Sequence, residues 1–518
     1  MIGQVLAIHY LASWEWIALI QNELLLFAAI FFLIGAVDDF AVDLYWFWLR
    51  LSGRANTSKI DGAEWSMAPL SGNAAVFIPA WNESTVIGDT VAHTLAAWPQ
   101  ENLRLYIGCY RNDAKTIAAV MRASGSDQRL RLVIHDRAGP STKADCLNRL
   151  YRALEQEEAR YGTQARMVVF HDAEDMVDPA ALALLDDAVS RADFVQLPVL
   201  PIPQQHSRWF GSHYCEEFAE AHGKGMVVRE AIGAALPGAG VGCAIKRSAL
   251  TSLAAKRGKD GPFNTQSLTE DYELGINLAQ FGAKWAFVRR RHGNGELVAT
   301  RAYFPSRLDH IVRQKTRWLH GIAFQGWDRL GWTSGGDVKL AELWMRVRDR
   351  RGPLSALVML AGYILLALSV LGWTASMMGA GDAMPLTPLL EALLIANFAA
   401  FAWRGAMRFA FTAREYGAVE GVRAILRVPI ANIIAIMAGR RALFAYVRVL
   451  LGNALEWDKT PHFSHPARGS QGSREMQPAE QSSEELDEEP VFGFGVGEKF
   501  NLFQEMERNQ NLGRDKKA

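Results

Sequence analysis

The sequence predicts a mostly parallel α/β domain set between helices that cross a membrane. Two observations carry this expectation. Apolar residues concentrate near the start of the chain and between about 354 and 450. Between those blocks, residues 72–330 alternate short apolar bursts with helix-like stretches, the pattern of a parallel sheet covered on both faces.

At 518 residues the chain exceeds one ordinary domain. Its 55 Lys and Arg balance 55 Asp and Glu, which removes any global charge reason to expect a nucleic-acid partner. The four cysteines, Cys109, Cys146, Cys215 and Cys243, form no C-x-x-C pair. Neither a zinc ribbon nor a redox motif is expected, and reduced, buried thiols suit a cytoplasmic middle region.

The first apolar run, Leu24 to Ile34, extends to Trp48 if Asp38, Asp39 and Asp43 are tolerated. Such a helix can cross a hydrocarbon core of roughly 30 Å, with the carboxylates turned from lipid toward a helix partner, an aqueous cavity or the headgroups. It lacks the basic start and small-residue cleavage site of a secretory signal. Trp46 and Trp48, followed by Arg50 and Arg54, read as an interfacial belt with a cytoplasmic flank. This puts the N-terminus outside, with Trp14 and Trp16 in a preceding interfacial segment. Residues 1–50 are thus an anchor and 51–71 a linker.

The expected strands are Ala74–Pro79, Leu103–Cys109, Leu130–His135, Met167–His171 and Asp193–Leu197, with helices such as Thr85–Trp98 and Lys143–Glu157 between them. Sheets of this kind bind ligands at the carboxyl ends of their strands. After a basic juxtamembrane segment (331–353), residues 354–376 and 389–410 read as two spans. The loop between them has no Lys or Arg, whereas Arg346, Arg348, Arg350 and Arg351 precede the pair and Arg404, Arg408 and Arg414 end it. That asymmetry places the loop outside and the catalytic middle inside. Within 411–460, Pro429 to Ala438 is too short to cross alone and reads as re-entrant or interfacial rather than a full fourth span. Residues 461–518 are polar and poor in apolar residues, a composition expected to stay disordered.

Three motifs carry chemistry. His171-Asp172-Ala173-Glu174-Asp175 follows the apolar MVVF, where a strand emerges into the ligand crevice. Its carboxylates are hard ligands suited to Mg²⁺ or Mn²⁺, although a solvated acidic loop reads the same. Thr269-Glu270-Asp271 opens a helix-like run. It is either an N-cap with acids in the first turn or a general base, Asp271, for an acceptor hydroxyl. Gln314, Arg317 and Trp318 share one face of a helix, where the guanidinium can bind a diphosphate and the indole can stack on a sugar. An amphipathic interfacial helix would also explain them.

The three motifs in this order, followed by membrane spans, resemble the membrane-integrated family-2 glycosyltransferases, which include cellulose and hyaluronan synthases. The D-A-E-D motif and the Tyr110-Arg111-Asn112-Asp113 loop look most like inner-membrane enzymes of the phage-adsorption protein B type. The resemblance implies a GT-A, Rossmann-like cytoplasmic domain. It implies donor binding by Pro79, Asn82, Glu83, Asp113, Lys143 and Asp172, with Lys143 and Asn148 in the family's K-x-x-x-L-N segment. Asp172 and Glu174 would hold the metal, Asp271 with Glu270 would form the catalytic pair, and Gln314, Arg317, Trp318 and Gly240 would meet diphosphate and acceptor. Trp457-Asp458-Lys459-Thr460 resembles a W-x-K-T signature. One departure lies in Gly108–Asp113, where family members carry two aspartates and only Asp113 remains. Longer relatives carry a cytoplasmic regulatory domain, and the tail here has no R-x-x-x-R of a cyclic-di-GMP-binding domain.

The implied reaction is an inverting transfer from a nucleotide sugar, expected to be a UDP-sugar, to a glycan or lipid-linked acceptor at the bacterial inner membrane. The setting would be exopolysaccharide synthesis or secretion, with outer-membrane or periplasmic secretion proteins as partners. Processive polymerisation and single transfer both remain open. The rival expectation is a catalytically degenerate subunit of a secretion or phage-receptor assembly.

Overall fold

The computed structural model describes residues 13–258, 261–332, 339–378, 386–453 and 464–471. The W-x-K-T segment and most of the polar tail lie outside these residues.

The chain opens with α1 (Ser13–Leu51), one continuous helix. The segment with Trp14 and Trp16 and the apolar run share this helix, since nothing between Ser13 and Leu24 is a Pro or Gly that would interrupt the hydrogen-bond ladder. Leu19–Leu51 is long and apolar enough to cross a membrane. Ile20, Val37 and Leu44 stand exposed along it.

A seven-stranded sheet follows. Its strands are β1 (Asn73–Pro79), β2 (Leu103–Tyr110), β3 (Leu130–His135), β4 (Ala165–Phe170), β5 (Phe194–Gln196), β6 (Cys243–Lys246) and β7 (Trp285–Phe287). They lie in the order β3-β2-β1-β4-β6-β5-β7. All pairings are parallel except the two that β6 makes, with β4 and with β5. Alternate residues of β1 enter opposite cores, Ala74, Val76 and Ile78 on one face and Ala75 and Phe77 on the other, as a sheet covered on both sides requires. Each such buried Val, Ile or Phe contributes about 1.5–3 kcal/mol. The helices that cover the sheet include α2 (Ile87–Ala97), α3 (Ala114–Ser124) and α4 (Lys143–Tyr161). The chain runs outward from β1 to β3 and returns to β4 on the other side of β1. Their carboxyl ends therefore open a crevice at the reversal.

Four further helices border that crevice: α5 (His213–Glu220), α6 (Glu270–Gln280), α7 (Leu308–Leu319) and α8 (Leu340–Arg350). Next come α9 (Gly352–Met377) and α10 (Pro388–Tyr416), which contain further segments long and apolar enough to cross a membrane. Last are α11 (Ala418–Leu426) and α12 (Val428–Leu450), bent by 53° at Arg427 and apolar enough to count as one broken span or a re-entrant loop. The helix there is longer than the run Pro429 to Ala438 suggested, because Arg440, Arg441 and Arg448 continue it. One correction concerns the start of the tail. Ser464 to Arg468 pack on the α/β domain, with His465 buried and a short 3₁₀ turn over Pro466–Gln471. Polar composition hid this contact, since one buried imidazole anchors it.

Candidate active site

One cavity of about 740 Å³ opens at the carboxyl ends of β1, β2 and β4. It gathers Pro79, Glu83, Lys143, Asp172, Glu174, Glu270, Asp271, Gln314, Arg317 and Trp318, which stand far apart in sequence. The strand ends supply Pro79 and the Asp172–Glu174 loop, the first turn of α4 supplies Lys143, and the first turn of α6 supplies Glu270 and Asp271.

Thr269 occupies the cap position of α6, yet its hydroxyl makes no capping hydrogen bond. The helix start therefore serves less as a capping device than as a mount for two carboxylates. Partial positive charge at a helix N-terminus favours acids there. The Lys143 ammonium lies 2.5 Å from Asp172 Oδ1 and 3.8 Å from Glu270 Oε1. Burial opposes its charge, but Asp172, Glu270 and Asp271 outweigh burial and hold it above the ordinary lysine range. Burial, aided by the Asp271 charge and opposed by Lys143, pushes Glu270 up to about 7. Burial likewise raises Asp271, against the pull of Lys143.

Asp271 Oδ1 accepts the Tyr272 amide at 2.8 Å. On its other side a methyl group on Gly240 would lie 2.5 Å from Oδ2, and Gly240 has φ +79°. Gly240 thus belongs to the site as a close approach of backbone to Asp271, a position that suits only glycine. Gln314 Oε1 accepts the Tyr214 hydroxyl at 2.7 Å, which fixes one end of the α7 face.

Asp172 and Glu174 both line the cavity, while among the described residues no group of three His, Cys, Asp or Glu is arranged to hold a metal. Two carboxylates with the remaining positions open fit Mg²⁺ or Mn²⁺, which keep water and take substrate phosphates as ligands. The donor set therefore suits a metal completed by a diphosphate.

Asn82 and Asp113 do not line the cavity. Asp113 caps α3 by accepting the Thr116 amide at 3.2 Å, and its other oxygen accepts the Asn82 amide at 2.6 Å. Asn82 has φ +54°. The pair thus shapes the turn after β1. Asn148 bonds both backbone groups of Phe263, at 2.8 and 3.0 Å, rather than reaching the cavity.

Several cavity residues had no site role assigned from sequence. Trp81 and Tyr110 form an edge-to-face wall with centroids 5.1 Å apart, and the Tyr110 hydroxyl bonds Ser141 Oγ at 2.7 Å. Asp349 of α8 bonds the Tyr272 hydroxyl at 2.8 Å and Arg229 at 2.7 Å, beside Glu270 and Asp271. Behind the site, buried Gln196 accepts the Ala239 amide at 2.9 Å and donates to the Val241 carbonyl at 2.8 Å, steadying the segment that carries Gly240. Gln196 is the one polar residue of the burst FVQL, and that was its only signal.

The sequence profile "Glycosyltransferase like family 2" matches residues 72–321. Bacteriophage adsorption protein B of Escherichia coli K12 is 33% identical over 465 residues, covering 84% of this chain and 61% of that protein. Bacteriophage N4 adsorption protein B of Escherichia coli O157:H7 matches to the same extent, so the chain spans 61% of the length of these relatives. Among solved structures, the mannosyltransferase PcManGT from Pyrobaculum calidifontis in complex with GDP-Man and Mn²⁺ aligns with a TM-score of 0.47 and 16% identity, over 79% of this chain and 99% of that one. Glucosyl-3-phosphoglycerate synthase from Mycobacterium tuberculosis, in complex with Mn²⁺, UDP and phosphoglyceric acid, aligns with a TM-score of 0.31 and 16% identity, over 50% of this chain and 80% of that one. Both structural likenesses are distant, and the sequence matches are what place the domain. On those matches residues 72–321 are a family-2 glycosyltransferase domain.

Proposed function

We propose that the protein is an inverting, metal-dependent glycosyltransferase of the bacterial inner membrane. It would move a sugar from a nucleotide-sugar donor, a UDP-sugar in the first instance, to a membrane-associated glycan or lipid acceptor. The observation that carries this reading is the convergence of Lys143, Asp172, Glu174, Asp271, Gln314, Arg317 and Trp318 on one cavity.

Asp172 and Glu174 would hold Mg²⁺ or Mn²⁺, which neutralises the departing diphosphate when bound. Lys143 and Arg317 bind the same diphosphate, and Trp318 stacks on the acceptor. Asp271, with its raised proton affinity, takes the proton of the acceptor hydroxyl. The acceptor oxygen then bonds to the anomeric carbon as the carbon–diphosphate bond breaks, the bonding pair leaves with the nucleotide, and configuration inverts. Glu270 shares the Lys143 charge with Asp172 and so balances the pocket.

The apolar helices support placement across a membrane with the catalytic domain in the cytoplasm and the acceptor beside lipid. An exopolysaccharide handed to outer-membrane or periplasmic secretion proteins suits relatives named for phage adsorption. The backbone duties of Asp113, the residue expected at the donor base, favour one second reading, a catalytically degenerate subunit of a polysaccharide-secretion or phage-receptor assembly.

A screen of nucleotide sugars with the purified protein and Mn²⁺ tests both. Turnover of at least one donor, lost by a factor of about 100 or more in Asp271→Asn, is the expected result. Turnover of no donor, with no metal-dependent UDP binding, would favour the second reading. Near-parental transfer by Asp271→Asn would remove Asp271 as the base.

A further inference from the structure

After its last membrane helix the polypeptide comes back to the catalytic domain at the loop that bears Asp172 and Glu174. His465 is 1% exposed there. Its Nδ1 accepts the Ala467 amide at 3.1 Å, which leaves Nε2 as the protonated nitrogen, and Nε2–H donates to the Asp175 carbonyl at 3.0 Å. Two neighbours support the same contact. Arg468 pairs with Asp89 of α2 at 2.5 Å, and His93, whose ring centroid lies 6.1 Å from that of His465, bonds the Val177 carbonyl at 2.9 Å.

The loop itself is tightly bonded. The Asp175 carboxylate accepts the Asp172 amide at 2.9 Å and faces His171 Nδ1 at 3.0 Å. The Asp175 amide donates to the Asp172 carbonyl at 3.3 Å, and Met176 exchanges two backbone hydrogen bonds with Arg301 at 2.7 and 3.0 Å. These bonds fix the loop from within the sheet domain. His465 holds the Asp175 carbonyl from a segment that the sequence separates by 290 residues and that follows α12. Groups behind a metal ligand orient it, and losing one costs about 10–100-fold in metal affinity.

We propose that His465 is a positioning residue for the donor site. By binding the Asp175 carbonyl it sets the aim of Asp172 and Glu174, so the segment leaving the membrane governs metal-dependent binding of the nucleoside diphosphate. This rests on the reading of those two carboxylates as the metal and diphosphate site.

The test uses the full chain in detergent and three variants. His465→Ala removes the donor, His465→Gln places an amide nitrogen near the position of Nε2, and His465→Asn places one near Nδ1 instead. UDP and GDP binding is measured by calorimetry with and without Mn²⁺, and hydrogen exchange is followed at residues 171–176. In His465→Ala, the Mn²⁺-dependent part of nucleotide affinity should fall about tenfold or more, with faster exchange at 171–176 and the Mn²⁺-free part unchanged. His465→Gln should restore both readouts and His465→Asn neither. Parental affinity and exchange in His465→Ala would overturn the proposal. So would an equal loss with and without Mn²⁺ in all three variants, which marks general damage. If the parent binds no nucleotide with Mn²⁺, the functional reading fails. The exchange measurement then decides by itself whether His465 holds the loop.

Discussion

Glu270 and Asp271 are adjacent in sequence yet differ in what they face. Glu270 sits 3.8 Å from Lys143, and burial with the Asp271 charge pushes its carboxyl up to about 7. Asp271 is the proposed base, and Glu270 gains the charge that balances Lys143 as pH rises through about 7 and loses it below. Turnover is therefore expected to climb with pH through about 7 and then level off. Glu270→Gln removes that titration and relieves Asp271 of a like-charged neighbour, so the low-pH limb should move to lower pH. A pH–rate profile of kcat for both proteins checks this, and an unmoved limb in the variant would show that Glu270 does not set it. At this scale the sequence was informative where charge gathers after an apolar run, as at Asp172 and Glu174, or at a helix start, as at Glu270 and Asp271. It was silent where function depends on one neutral side chain meeting a distant backbone. Gln196 serves the site only because β5 pairs with β6, which puts it beside Ala239 and Val241. Asp113 caps the helix that follows its strand and does not line the cavity, a role that a carboxylate at a strand end shares with ligand binding in the sequence pattern.

Among the elements, the long apolar strands were legible because each face of the sheet demands its own row of Val, Ile and Phe. The short antiparallel β6 was not, since CAIK is four residues long and shares its pattern with any buried turn. The bent pair α11 and α12 shows how an element can depend on one buried charge. Arg427 stands at the 53° break, fully buried. It donates to Glu216 of α5 at 3.1 and 2.7 Å, to Glu420 of α11 at 2.6 Å and to the Arg208 carbonyl at 2.8 Å. Arg408 of α10 joins the cluster at Glu216, at 3.0 Å. The guanidinium thus ties the bend to the helix that borders the catalytic cavity. Arg427→Met keeps the volume and removes the charge, leaving Glu216 and Glu420 without their shared partner. Breaking a buried pair in this way costs about 3–5 kcal/mol. Thermal unfolding of the detergent-solubilised variant should show a clear loss of stability, and a parental melting temperature would mean that the cluster adds nothing to the bend.

For the whole molecule, the orientation of the helices decides which compartment supplies the donor. Lys and Arg crowd the ends of α9 and α10 that face the α/β domain, while the stretch from Gly379 to Pro388 has none. Positive charge is retained on the cytoplasmic side, so that stretch should lie outside and residues 72–330 inside. Because all four native cysteines are buried and unpaired, a membrane-impermeant maleimide should label the unmodified protein weakly, and introduced cysteines can report position. Thr387→Cys, within the stretch that lacks Lys and Arg, should react in intact spheroplasts. Ser126→Cys, on the turn after α3 and far from any membrane helix in sequence, should react only after permeabilisation. The reverse pattern would put the Asp271 cavity on the side of the membrane that lacks nucleotide sugars and would end the proposed reaction. Equal labelling of both sites in intact spheroplasts would likewise contradict a single fixed topology. With Thr387 outside and Ser126 inside, the cavity opens to the cytoplasmic pool of donor while α1, α9 and α10 stand beside it in lipid. Among the described residues three helices, or four if the bent pair α11 and α12 is one span, are long and apolar enough to hold the cavity at that surface.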